Sequence, residues 1–467
     1  MKKITLFVLT AFILFSCNKE KTVAISGKIV NPLDENVVIQ INYLDQSDTI
    51  ALAEDGTFST KIDVADEYLG ALKNGNFRLP VYFVPGASIN IEMDIDELKN
   101  KNSSGVKITG EGSEPTAFMF RLKDKGIKEG VRELLKMQVD SFDMKMDNAI
   151  KTSNDAIENF QKENNPSAKF IESVQLMQKI SFAWNYKYFI NYHHRSAPQD
   201  TLPIPDYFQE YVDEIPVDDY EKCKEIPEYQ SWVTSHLQAK IQKTLSADST
   251  LNYKTIAFAE KNIDEIIALD APVDIKDIIG YRLVSSYSYK PDSIKAVYKA
   301  RYKELIKKQK YIDNFENIIA AIEKTKPGSV APTFNYPDIN GNMVSSESLK
   351  GKVIYIDVWA TWCGPCKGEI PYLKKLEEEL RDKPIAFVSI SVDEDKKAWE
   401  KMVKEKDMHG YQLYAKEAWD ASIVKDYAIR GIPNFMIIDK EGIIVESNAS
   451  RPSTPTTKEK LLKLAEQ

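Results

Sequence analysis

Cysteine is scarce in this chain of 467 residues: four occur, at positions 17, 223, 363 and 366. So few exclude a fold stapled by a disulfide framework, but a pair three residues apart is enough for redox or metal chemistry. Basic charge is in deficit, with 62 Lys and Arg against 70 Asp and Glu and a formal net charge of −8. Such a surface has no general attraction for phosphate backbones, so no nucleic acid partner is expected. Glycine (19) and proline (21) are too few for collagen or low-complexity disorder. Long apolar runs are missing as well. Ile4 to Phe15 is a run of about a dozen residues, whereas a membrane-spanning helix needs about twenty. What remains is a soluble globular composition, 43% apolar, long enough for roughly three domains.

Lys2-Lys3 forms a basic tip ahead of that apolar run, and Ser16-Cys17-Asn18-Lys19-Glu20-Lys21 ends it. This pattern predicts an export signal over residues 1–16. Leu14-Phe15-Ser16-Cys17 resembles a bacterial lipobox, although Phe15 is bulkier than the strictest pattern prefers. The resemblance implies lipidation of Cys17, which would anchor the protein to a membrane of the cell envelope with its soluble domains in the periplasm.

From residue 17 to 112, short β-rich runs recur at Val23–Val30, Val37–Leu44, Phe58–Val64, Val81–Val84, Ile89–Met93 and Val106–Thr109. Turn signals such as Asp55-Gly56 and Pro85-Gly86 separate them, and the spacing predicts an all-β domain, a small antiparallel sandwich or barrel. No nucleophile or metal-ligand cluster stands out, so a structural or docking role is expected. Residues 113–326 change to helical period, as in Ile127, Val131, Leu134, Leu135 and Val139. The aromatic stretch Phe182 to Phe189 reads as core. His193-His194 are adjacent and cannot share a helix face, so they read as a surface or interface site and not as a metal pair. Cys223, between two lysines, reads as a free thiol.

Lys326-Pro327-Gly328-Ser329-Val330-Ala331-Pro332 is a clear linker. Over residues 330–467, strand-like runs at Val353–Val358, Ile385–Val392, Phe435–Ile438 and Ile443–Val445 alternate with helical stretches, predicting an α/β domain with a parallel crossover and a closing antiparallel hairpin. Trp362-Cys363-Gly364-Pro365-Cys366 comes directly after the first run and opens an amphipathic helix. At a helix N-terminus, free N–H groups and the positive dipole end favour a thiolate, which makes Cys363 the nucleophile. Cys366 lies about one turn on along the same face and is the resolving thiol. Gly364 spares the turn a side chain, and Pro365 fixes φ where no helical N–H bond is lost.

Together with the strand before it, this motif resembles the thioredoxin superfamily. The resemblance implies that Asp357 is a buried acid exchanging a proton with Cys366. It also implies that Ile429-Arg430-Gly431-Ile432-Pro433 is a cis-proline loop facing the cysteines. Trp362, Gly364, Pro365, Ile432 and Pro433 are then the expected substrate-binding residues. Cys366-Lys367-Gly368-Glu369-Ile370-Pro371 narrows the likeness to envelope reductases of the TlpA and ResA kind, and implies that Glu369 is a second acid tuning the thiols. Ala331 to Gly351 is similar to the hairpin and loop that open the TlpA and peroxiredoxin branches, and the N-terminal β-domain resembles that of Bacteroidetes-type lipoproteins. The expected activity is thiol-disulfide exchange with no diffusible cofactor and no metal. Expected partners are disulfide-containing envelope proteins, a membrane dithiol as electron donor, and the membrane itself through the lipid. An envelope thiol oxidase or isomerase, and a docking scaffold with a vestigial redox domain, stand as alternatives.

Overall fold

A computed structural model of the chain describes residues 21–467 apart from Asn42, Asp45, Asn76 and 100–102. The predicted signal segment and Cys17 therefore lie outside the described residues. The chain divides into two compact units, one ending at Val233 and the other beginning at Thr234.

The first unit opens with strands β1 (Thr22–Val30), β2 (Asn36–Ile41), β3 (Gln46–Ala51), β4 (Thr57–Asp63), β5 (Tyr68–Asn74), β6 (Phe77–Phe83), β7 (Ser88–Asp94) and β8 (Val106–Thr109). They form two four-stranded sheets, ordered β4-β1-β7-β8 and β3-β2-β5-β6. Along β1 and β2 alternate residues are buried, as a half-covered pleated strand requires, and Val23, Ile25, Val37, Ile39, Leu72 and Ile91 join both sheets in one core. This is the expected sandwich with one correction. β1 and β7 pair in parallel, so it is not wholly antiparallel. Two strands lack the buried/exposed alternation that announces the others. β3 is a polar edge strand without a buried residue, and β5 carries Gly70, where a Cβ would lie 2.2 Å from the Gln40 carbonyl oxygen of the neighbouring strand.

Helices come next, the longest being Val139–Asn164 and Ala168–Ser196. Asn165 in the left-handed region (φ 44°) ends the first, and the Ser167 hydroxyl caps the second by accepting the Phe170 N–H. Phe182, Ala183, Tyr186 and Phe189 are buried, and Phe142 stacks on Phe189 with ring centroids 3.8 Å apart. The aromatic stretch is therefore core. His193 lies one turn beyond Phe189, stacks on it, and is fully buried with Nδ1 3.1 Å from the Leu135 carbonyl oxygen. This corrects the surface reading for His193, while its neighbour His194 faces outward. Cys223 is buried and takes no part in the disulfide.

The second unit contains helices Ile256–Ile267, Val273–Ser285, Asp292–Leu305 and Gln309–Lys324, then the α/β domain. A short hairpin of β9 (Asn335–Pro337) and β10 (Met343–Ser345) precedes β11 (Val353–Trp359), β12 (Ile385–Ser391), β13 (Tyr411–Tyr414), β14 (Asn434–Ile438) and β15 (Ile444–Glu446). The last five form one sheet in the order β13-β12-β11-β14-β15. β11, β12 and β13 run parallel, and β14 and β15 antiparallel to their neighbours. Helices Gly364–Glu379 and Pro455–Glu466 cover the face carrying Val353, Tyr355, Phe387 and Phe435. Trp399, Val403, Ile423 and Val424 pack on the opposite face against Ile354, Ile356 and Val388. This is the expected thioredoxin-like fold, with β13 as an edge strand too short to have been read from its four residues.

Candidate active site

Every residue of β11 is buried, as befits a central strand covered on both faces. The chain leaves it at Trp359, and a carboxylate beside the end of the neighbouring strand fixes the turn beyond. Asp393, 1% exposed just past the end of β12, accepts the Thr361 N–H at 3.0 and 2.9 Å and the Thr361 hydroxyl at 2.7 Å. The Ser391 hydroxyl donates to the same group at 2.8 Å. This anchorage holds the turn that delivers Cys363 to the helix start.

Cys363 is the N-cap of helix Gly364–Glu379, and its Sγ accepts the Cys366 N–H at 3.2 Å. The two sulfurs are joined in a disulfide, with Cα atoms 5.3 Å apart. A sulfur placed there meets the unpaired N–H groups of the first turn, which stabilise negative charge on it once the bond is reduced. Pro365 occupies that first turn, and Gly364 opens it. Around the nearly buried disulfide the surface is aromatic. Trp362 is 58% exposed and Trp419 38%, with ring centroids 6.3 Å apart.

The Ile432–Pro433 bond is cis. Val358 pairs with Asn434 across β11 and β14, so Pro433 borders the same sheet end from which Trp359 leads to the cysteines. Ile432 packs against the core cluster that contains Cys363 and Cys366. The loop and the disulfide thus belong to one surface.

Three carboxyls are buried on β11 and the CxxC helix. Asp357 on β11 is 5% exposed, and its Oδ1 has no hydrogen-bond partner. Burial, then the charges of Glu369 and Glu377, pushes its pKa up to about 8, so it holds a proton at neutral pH. Glu369 is 8% exposed, and its carboxylate accepts the Ser453 N–H and the Ser453 hydroxyl, each at 3.0 Å, with Arg451 at 3.7 Å. It ties the CxxC helix to the loop before the last helix as well as bearing on Asp357. Glu377, two turns further along the helix, is 9% exposed with neither oxygen hydrogen-bonded, and burial pushes its pKa up to about 7. Asp357, Ser389 and Gln412 stand in register across β11, β12 and β13, giving the otherwise apolar sheet face a buried polar row.

Residues 326–463 match the Redoxin family. The chain is 31% identical over 134 residues to the thiol-disulfide oxidoreductase ResA of Bacillus cereus (strain ZK / E33L), an alignment spanning 28% of this chain and 75% of that protein. The chain belongs to the ResA-type thiol-disulfide oxidoreductases. A second relative, the thioredoxin-like protein YneN of Bacillus subtilis (strain 168), is 33% identical over 138 residues, covering 29% of this chain and 78% of YneN. Among solved structures, the thioredoxin domain of a thiol-disulfide oxidoreductase from Bacteroides vulgatus is 29% identical, covering 30% of this chain and 97% of that one with a TM-score of 0.28.

In this ResA-type oxidoreductase the structure brings together Cys363, Cys366, Asp357, Glu369, Trp362, Gly364, Pro365, Ile432 and Pro433 at one end of one sheet. Sequence reasoning overlooked Asp393 and Glu377. A signal for Asp393 existed in Ser391-Val392-Asp393, a polar strand end level with the CxxC turn. Glu377 offered only its helical spacing from Cys366, Ile370 and Leu373, all buried on one face.

Proposed function

We propose that this oxidoreductase works as a lipid-anchored reductase of protein disulfides in the cell envelope. The observation that carries the catalytic part is the Cys363 sulfur at a helix start above a buried, proton-holding Asp357. In the reduced enzyme the Cys363 thiolate attacks one sulfur of a substrate disulfide. That S–S bond breaks, a mixed disulfide forms, and the first substrate thiolate leaves with a proton from solvent. Asp357 first loses its proton to solvent; the carboxylate so formed takes the Cys366 proton, the Cys366 thiolate attacks Cys363 Sγ, and the proton passes on to the departing substrate thiolate. The second substrate thiol departs, the Cys363–Cys366 bond closes, and two electrons have passed to the substrate.

This cycle needs no diffusible cofactor, but the oxidised pair must be reduced again, and a membrane dithiol is the donor we propose. Gly364-Pro365 inside the motif and Ile432 before Pro433 support the reductive direction, since both match thioredoxin. For the anchor, the support is the sequence around Cys17. Among the described residues no helix is long and apolar enough to cross a membrane. Equilibration of the Cys363/Cys366 pair in glutathione buffers tests the direction. A potential near about −270 mV fits a reductase, whereas one near about −120 mV would make the enzyme an oxidant. A Cys366→Ser variant, unable to resolve the mixed disulfide, is expected to retain its protein substrates covalently on Cys363.

A further inference from the structure

The loop that leads into Pro433 is held from outside the α/β domain. Tyr289 ends a short 3₁₀ turn, Tyr287–Tyr289, just after the helix Val273–Ser285. Its hydroxyl accepts the Arg430 N–H at 3.3 Å and sits 3.5 Å from the Gly431 carbonyl oxygen, to which it donates. Ser288 Oγ donates to the Ala428 carbonyl at 3.2 Å, and Ala428 itself is in the left-handed region at φ 49°. Arg430 reaches back, Nη2 to the Tyr281 hydroxyl at 3.3 Å, and Tyr281 is stacked on Tyr311 with centroids 5.0 Å apart. Successive backbone positions of the loop therefore rest on side chains of the helical segment 281–311.

The contact between Tyr289 and Arg430 closes no core, because Arg430 is exposed and Tyr289 is 46% exposed. Their common object is the backbone immediately before Ile432, on the surface that also carries the disulfide. An extended chain presenting a disulfide to Cys363 must pass over this backbone, and main-chain pairing is the sequence-independent way to hold such a chain. Gly431, with no side chain, is the residue there with the most conformational freedom to lose. A loop already fixed in its binding shape spares the incoming chain that ordering cost.

We infer that Tyr289 is a positioning residue for polypeptide substrates, presetting the loop Arg430–Pro433 so that an extended chain can dock beside Cys363. The inference rests on the proposed reductase activity and assigns to the helical segment a part in substrate recognition. A small disulfide, which makes no main-chain contacts, has no need of the preset loop.

The test uses the full-length protein and its Tyr289→Phe variant, which keeps the ring and loses only the hydroxyl. Three quantities are measured: amide hydrogen exchange at Arg430, kcat and KM with insulin disulfides, and the rate with bis(2-hydroxyethyl) disulfide, which has no peptide group. The expected result is faster exchange at Arg430 and a KM for insulin raised about fivefold, the scale of one modest hydrogen bond. The kcat for insulin and the rate with the hydroxyethyl disulfide are expected to stay at wild-type values. A Tyr281→Phe variant, releasing Arg430 from its other support, is expected to shift the insulin KM in the same direction. An unchanged insulin KM overturns the inference, as does an equal loss with both substrates, which marks a merely structural contact. Failure of the wild-type protein to reduce insulin overturns the reductase reading instead, and the exchange rate at Arg430 still reports on the hold itself.

Discussion

Thr361 gives both its backbone N–H and its hydroxyl to the one carboxylate of Asp393. The contact joins the end of β12 to the turn between β11 and Cys363, so a residue far from the CxxC in sequence sets the path by which the nucleophile reaches its helix. An Asp393→Asn variant loses acceptor capacity in a buried site and leaves one donor poorly paired. It is expected to lower stability by about 1–3 kcal/mol, read by urea unfolding, and to slow disulfide exchange in parallel. Wild-type stability and rate together would show that Asp393 plays no such part.

Asp357 titrates at about 8, well above its ordinary 3.8, because burial and then Glu369 and Glu377 disfavour its charge. The folded state therefore binds a proton that the unfolded state has released, and stability falls as pH rises between about 4 and 8. Replacement by Asn removes that dependence, so the variant is expected to gain stability over wild type progressively across this window. Its exchange rate is expected to drop about 100-fold with loss of the step near pH 8, since no group remains to take the Cys366 proton. A pH–rate profile identical to that of wild type would remove Asp357 from the mechanism.

Glu377 has the same sign, with its pKa raised from 4.5 to about 7 chiefly by burial and opposed by Lys374. Its ionisation on going from pH 4.5 to 7 weakens the fold. Glu377→Gln is expected to be relatively more stable toward the top of that range and to lower the titration midpoint of Asp357 by removing a neighbouring charge. Monitoring the Asp357 carboxyl carbon by NMR checks the second effect, and an unmoved midpoint would separate the two groups.

Only Cys363 stands at the helix terminus, so iodoacetamide near neutral pH is expected to label it before Cys366 in the reduced protein. Peptide mapping at partial modification gives the order. Preferential labelling of Cys366 would exchange the assigned roles.

Replacement of Cys17 by Ser is expected to release the protein from the membrane fraction or to leave the signal segment uncleaved. Fractionation with and without detergent distinguishes these from an unaltered, lipid-dependent association, which would mean that Cys17 is not the anchor.

Much of the redox centre is written in neighbours along the chain. A β-branched strand before Trp362, a CxxC with Gly364 and Pro365 inside it, and an apolar stripe through Ile370 and Leu373 specify strand, turn and helix by local rules alone. Arg430-Gly431-Ile432-Pro433 was legible because the family resemblance supplied its meaning. The sandwich was legible wherever alternation was strong, as in β1 and β2, but not in β3, which buries nothing, nor in β5, where Gly70 allows two backbones to approach. Which carboxyls are desolvated, by contrast, was a matter for the tertiary structure. Asp357, Glu369 and Glu377 acquire their environment from the sheet and from each other, and Asp393 acquires its partners only when β12 lies beside β11. Tyr289 reaches Arg430 and Gly431 across more than a hundred residues of chain. Local propensity reads residues a few positions apart, whereas pKa and hydrogen-bond partnership depend on distance in space, and only folding sets that distance.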